Sequence, residues 1–71
     1  MITLEAGRAV EFEGGTASLT VVFEGEVELS VDGICRIIRQ KDGSILVNKI
    51  DKNVIVIAPK YLYYELAPTG E

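Results

Sequence analysis

The sequence predicts an all-β domain: a small antiparallel barrel, or a half-open barrel or sandwich, of about six to seven short strands with no helix. Three observations carry this. Asp42-Gly43 stands between two apolar-rich runs, Ile34–Gln40 and Ile45–Ile50, and a third run, Val54–Ile57, follows at once. Asp-Gly between strand-forming runs is a strong short-range hairpin signal, because both central residues of a tight type I′ turn need positive φ. Turn signals also recur at Gly7, Gly14-Gly15, Gly25, Asp32-Gly33, Asp51-Lys52-Asn53 and Pro59. The segments between them have strand length, and none sustains a helical period.

Each segment is then read for its faces, because side chains on a strand alternate. Arg8–Glu13 puts Val10 and Phe12 on one side and Glu11 and Glu13 on the other. Thr16–Phe23 gathers Leu19, Val21 and Phe23. Glu26–Val31 is the cleanest, with Val27, Leu29 and Val31 inward and Glu26, Glu28 and Ser30 outward, the pattern of a half-buried antiparallel strand. Ile34–Gln40 breaks the alternation, which calls for a bulge or for cover on both faces. Ile45–Ile50 is similarly mixed. Val54–Ala58 is apolar throughout; it reads as buried on both sides, either central to a barrel or part of a subunit contact. Pro59 ends it, since proline cannot donate to a ladder. Tyr61–Leu66 alternates again, and Pro68–Glu71 reads as a frayed tail.

Seventy-one residues make a single domain, 1–71. A chain of this size buries only roughly 60% of the surface it exposes unfolded. Small domains are usually helped by disulfides, a metal or oligomerisation. Cys35 is the one cysteine and there is no histidine, so neither an internal disulfide nor an ordinary zinc site can form. Nearly half the residues are apolar (48%) and mean hydropathy is +0.26. Self-association, with a homodimer favoured, is the aid that remains. Val54, Ile55, Val56 and Ile57 are its expected interface.

The net charge of −4 is unevenly spread. Residues 1–33 hold seven acids against Arg8, whereas residues 34–71 hold six bases against four acids. The acidic balance repels phosphate backbones at long range, while neighbouring acidic and basic strands can pair across the sheet. The start of the chain lacks the apolar core of a signal peptide, and no apolar run reaches the roughly 18 residues of a membrane span. A lone cysteine suits a reducing interior. A cytoplasmic protein without membrane contact is expected.

The chemistry-bearing residues are few. Without histidine there is no Ser-His or Cys-His pair, and no phosphate-binding glycine motif occurs. Glu24, Glu26 and Glu28 would share a face on an unbroken strand and could then hold a divalent cation. Gly25 interrupts them, which favours a solvated outer face. Cys35 reads as a buried, inert thiol. No catalytic residue, metal or cofactor is expected. Tyr61, Tyr63 and Tyr64 form the only aromatic cluster. Tyrosines beside bases can stack nucleobases, or they can pack a barrel rim or interface.

Phe23-Glu24-Gly25, then Ile37-Ile38, then Asp42-Gly43-Ser44-Ile45-Leu46-Val47-Asn48 resemble the N-terminal domain of the archaeal NucS endonuclease family. The likeness covers about residues 19–59 with a one-residue gap. It implies a half-open β-barrel that dimerises and contributes to single-stranded DNA binding; the family's nuclease lies in a separate domain. Here Glu26 replaces the basic residue after Glu-Gly, and Asn48 the histidine after Leu-Val. The stacking tryptophan's place falls near Ile57, and Lys49–Asn53 is less basic than the family's run. No catalytic residue carries over.

Two functions are therefore in view. The first is a non-enzymatic β-module for self-association and protein interaction. The alternative is a single-stranded nucleic-acid-binding module using Arg36, Arg39, Lys41, Lys49, Lys52 and Lys60 on phosphates, with Tyr61 or Tyr63 stacking.

Overall fold

The computed structural model describes residues 2–68. Six strands form one antiparallel sheet: β1 Ala9–Glu11, β2 Ala17–Phe23, β3 Val27–Arg39, β4 Ile45–Lys49, β5 Val54–Ile57 and β6 Tyr63–Pro68. The path runs β5-β4-β3-β2-β6, with β1 paired to β3 beyond the end of β2. The all-β expectation holds, and the sheet does not close into a barrel: β5 and β6 are its two ends. Among the described residues the only helical element is a 3-10 turn, Glu13–Gly15, between β1 and β2.

The long strand β3 organises the rest. Asp32-Gly33 reads in sequence as a turn, but the chain passes straight through it. Gly33 uses its positive φ of 68° to make a bulge instead, so Leu19 faces Val31 while Ala17 faces Ile34. A second irregularity follows, because Ile34 pairs with Lys49 but Arg36 with Asn48. Cys35 is the extra residue. These two insertions explain the broken alternation of Ile34–Gln40. They keep Val31, Ile34 and Ile37 on one face at spacings of three, and all three are buried. Ile38, which simple alternation places with Ile34, turns to the opposite face.

The core lies on that inner face. Leu19 and Val21 of β2, Ile34 and Ile37 of β3, Ile45 and Val47 of β4 and Leu66 of β6 are fully buried. Val10, Phe12, Phe23, Ile55, Tyr61 and Tyr64 pack around them. The N-terminal segment completes the cover. Ile2 N–H donates to the Leu66 carbonyl at 3.2 Å and Gly7 N–H to the Arg39 carbonyl. The segment thus crosses from β6 to the end of β3, and it seats Leu4 in the core at 1% exposure. Nothing in the sequence pattern marked Leu4.

Both hairpins flanking β4 have the same construction. Gln40 N–H donates to Ser44 O and Gly43 N–H to Gln40 O; likewise Lys49 N–H donates to Asn53 O and Lys52 N–H to Lys49 O. Each loop has three residues, the last in the left-handed region: Gly43 at φ 94° and Lys52 at φ 74°. Asp42 does not have positive φ, so Asp42-Gly43 is not the expected two-residue type I′ turn. It is the three-residue form, in which one glycine ends a turn as a bulge. Gly25 and Glu26, at φ 80° and 63°, turn β2 into β3.

Three other expectations change. β5 is an edge strand, not a central one, with Val54 and Val56 57% and 63% exposed and only Ile57 buried. Val27 and Leu29 do share a face with Val21 and Val31, yet both remain exposed, because β4 reaches only the Ile34–Arg39 half of β3. Pro68 is not frayed but pairs with Ala17 in β6; residues 69–71 of the expected tail lie outside the described residues.

Candidate functional site

The expected interface, Val54–Ile57, forms β5. Its inner residues Ile55 and Ile57 pair with Val47 and Ile45, and its outer residues Val54 and Val56 pair with Asn48 and Leu46. Leu46 in turn faces Ile38, and Ile38 faces Ala9. The outer side of the sheet therefore carries an apolar row, Val56–Leu46–Ile38–Ala9, across four strands. Its members other than Val56 escaped the sequence reading. The signal was present in β4, where Leu46 interrupts the buried pair Ile45 and Val47: apolar residues in both phases of one strand mean that both faces are apolar.

The open edges of the sheet differ in protection. Natural edges are blunted by charges, prolines, bulges or extreme shortness. β1 is three residues long and ends on Glu11. β6 carries Glu65 and Pro68 and accepts the Ile2 N–H. The free half of β3 carries Glu28 and Asp32, follows Glu26 and bends at the Gly33 bulge. β5 has no charge, proline or bulge within its four residues.

The six late-chain bases are spread over the sheet. Lys41 lies in the β3–β4 turn and Lys60 follows Pro59, whose Cβ comes within 3.2 Å of the position a Cβ on Gly43 would take. Lys49 ends β4 and Lys52 lies in the β4–β5 turn, at the other end of β4. Arg36 lies across from Glu11 and pairs with it at 3.8 Å, a largely exposed contact of little stabilising value. Arg39 shares the inner face with Ile37, opposite Ile45, and its Nε is buried without a hydrogen-bond partner among the described residues.

The tyrosines also separate. Tyr61 donates its hydroxyl to the Gly43 carbonyl at 2.7 Å and meets Tyr64 edge-to-face at 5.9 Å; both rings serve packing. Tyr63 is exposed on the outer face, in one row with Val22 and Glu28, so its nearest charged neighbour in that row is an acid.

Glu24, Gly25 and Glu26 form the β2–β3 turn, so the three glutamates do not line one strand face. Among the described residues no three His, Cys, Asp or Glu side chains gather to hold a metal ion, and no pocket is enclosed. Cys35 is a half-buried free thiol whose Sγ donates to the Asn48 carbonyl at 3.4 Å. No helix among the described residues is long and apolar enough to cross a membrane.

Compared with known protein families, curated proteins and solved structures, the chain matches none. The likeness to the NucS N-terminal domain therefore rests on its short sequence motif alone.

Proposed function

We propose that this chain is a non-enzymatic β-module that works by self-association and protein interaction, with a homodimer formed through Val54–Ile57. The observation that carries this reading is the contrast between edges. β5 alone lacks protection, and its outer valines are more than half exposed. Size adds to it: a domain this small gains from burying further apolar surface, and no disulfide is available as an alternative. The free thiol of Cys35 suits a reducing compartment such as the cytoplasm. The test is light scattering behind size exclusion at micromolar concentration. A species near twice 7.7 kDa is expected, and Val56→Asp, at an exposed position, should halve the mass while leaving the β-type circular dichroism intact. A wild-type chain that runs cleanly as a monomer overturns the reading.

A further inference from the structure

The free backbone groups of β5 have a definite phase, and that phase says how a second copy would dock. In an antiparallel ladder, opposed residues alternate between pairs that exchange hydrogen bonds and pairs that do not. Lys49 N–H donates to Asn53 O, which makes Lys49 and Asn53 a bonded pair. Counting along the register, Val47–Ile55 and Ile45–Ile57 are bonded pairs and Asn48–Val54 and Leu46–Val56 are not. The N–H and C=O groups of Ile55 and Ile57 therefore turn towards β4. Those of Val54 and Val56 point out of the open edge.

We infer that β5 pairs antiparallel with β5 of a second copy across a two-fold axis normal to the sheet, with Ile55 opposite Ile55 of the second copy. This rests on the reading of the chain as self-associating and names the geometry of the contact. A two-fold axis normal to the sheet keeps inner faces together, so only residues of the same phase can oppose each other. Val54 then exchanges two hydrogen bonds with Val56 of the second copy, and Val56 two with its Val54. All outward donors and acceptors of the strand are used, and outer valines lie beside outer valines. The antiparallel sense follows from the faces: a parallel pairing of the same two edges would set the inner face of one copy beside the outer face of the other. The five-strand path of each copy would join its twin into a continuous ten-stranded sheet.

Two kinds of variant test the arrangement. Val54→Pro removes an N–H that β4 does not use, at the first position of an edge strand, where proline is tolerated. It should leave the β-type circular dichroism unchanged and give a monomer by light scattering, whereas Val54→Thr, which keeps the N–H, should remain a dimer. In a Cys35→Ala background, Ile55→Cys should form a covalent dimer on mild oxidation. Opposed residues of a non-bonded pair lie about 4.5 Å apart at Cα, within the range a disulfide spans. Val54→Cys and Val56→Cys should cross-link efficiently only when mixed with each other. A wild-type dimer in which Val54→Pro still dimerises and Ile55→Cys fails to cross-link overturns edge pairing and leaves self-association standing. Cross-linking of Val56→Cys alone overturns the register. A monomeric wild-type chain overturns both readings.

Discussion

The hydroxyl of Tyr64 accepts a hydrogen bond of 2.8 Å from the backbone N–H of Leu4, sixty residues away in the chain. It pins the N-terminal segment where Leu4 enters the core. Tyr64→Phe keeps the ring but leaves that N–H without its acceptor, which should cost about 1–3 kcal/mol. Leu4→Ala should cost about 2–5 kcal/mol, as for a fully buried leucine. Urea titration of both variants measures this. Loss of less than about 0.5 kcal/mol in both would mean that the segment does not hold the fold.

Asp42 gives the β3–β4 hairpin a pH dependence. The Ser44 hydroxyl at 2.6 Å, then the Ser44 N–H at 2.9 Å, hold its carboxyl below the ordinary aspartate value. A depressed native pKa means that the unfolded chain takes up the proton first. The contribution is therefore complete above the ordinary value of about 3.9 and is lost as the pH falls through the lower native value. Thermal melts between about pH 2 and 5 should show a slope that Asp42→Asn flattens. An identical slope in the variant would locate the acid sensitivity elsewhere.

The twin hairpins around β4 make the same demand on one backbone position and fill it with different residues. Gly43→Ala puts a side chain at φ 94°, with its Cβ 3.2 Å from Pro59 Cβ, and should destabilise by about 1–2 kcal/mol. Lys52 already occupies the equivalent left-handed position at φ 74°. Lys52→Gly relieves that strain against a smaller entropic cost and should stabilise by about 0.5–1 kcal/mol. Equilibrium denaturation of the pair should show shifts of opposite sign; two shifts of the same sign would refute the shared turn geometry.

How far these features were legible in the sequence depends on the range of the interaction. Alternation in Thr16–Phe23 and Glu26–Val31 marked the inner faces of β2 and early β3, because a face is a local property. Asp32-Gly33 misled, since a positive-φ glycine serves a bulge as well as a turn and only the partner strand decides between them. The exposure of Val27 and Leu29 was illegible for a related reason: they face inward, but whether anything covers them depends on how far β4 runs. The unbroken Val54–Ile57 run marked the candidate interface, while its place at the edge of the sheet came only from the strand order. The six bases look like a cluster in sequence because they share the second half of the chain; the register sends them to opposite ends of β4 and to both faces.

That dispersal bears on the nucleic-acid alternative. A single strand needs bases along one path with a ring to stack on. Arg36 stands opposite the acid Glu11, Tyr61 is committed to Gly43, and Tyr63 shares its row with Glu28. Fluorescence anisotropy with a labelled single-stranded oligonucleotide should show no binding at about 50 mM salt. Micromolar binding that weakens steeply with added salt would restore the alternative.

Leu46 and Val47 are adjacent in β4 and should respond in opposite ways, because one faces out and the other in. Val47 is fully buried, so Val47→Ala leaves a cavity and should cost about 2–3 kcal/mol in the unfolding of the domain. Leu46 is only half-buried, in the outer row between Ile38 and Val56. Leu46→Lys keeps a long side chain whose stem can lie along that row while its ammonium reaches water, so the loss should stay below about 1 kcal/mol. The same variant separates two modes of association. A dimer paired through the β5 edge keeps its backbone bonds and should retain its mass with Leu46→Lys. A dimer stacked face to face through the apolar row would have to bury two ammonium groups and should dissociate. Light scattering on Leu46→Lys therefore decides between edge and face without touching β5 itself.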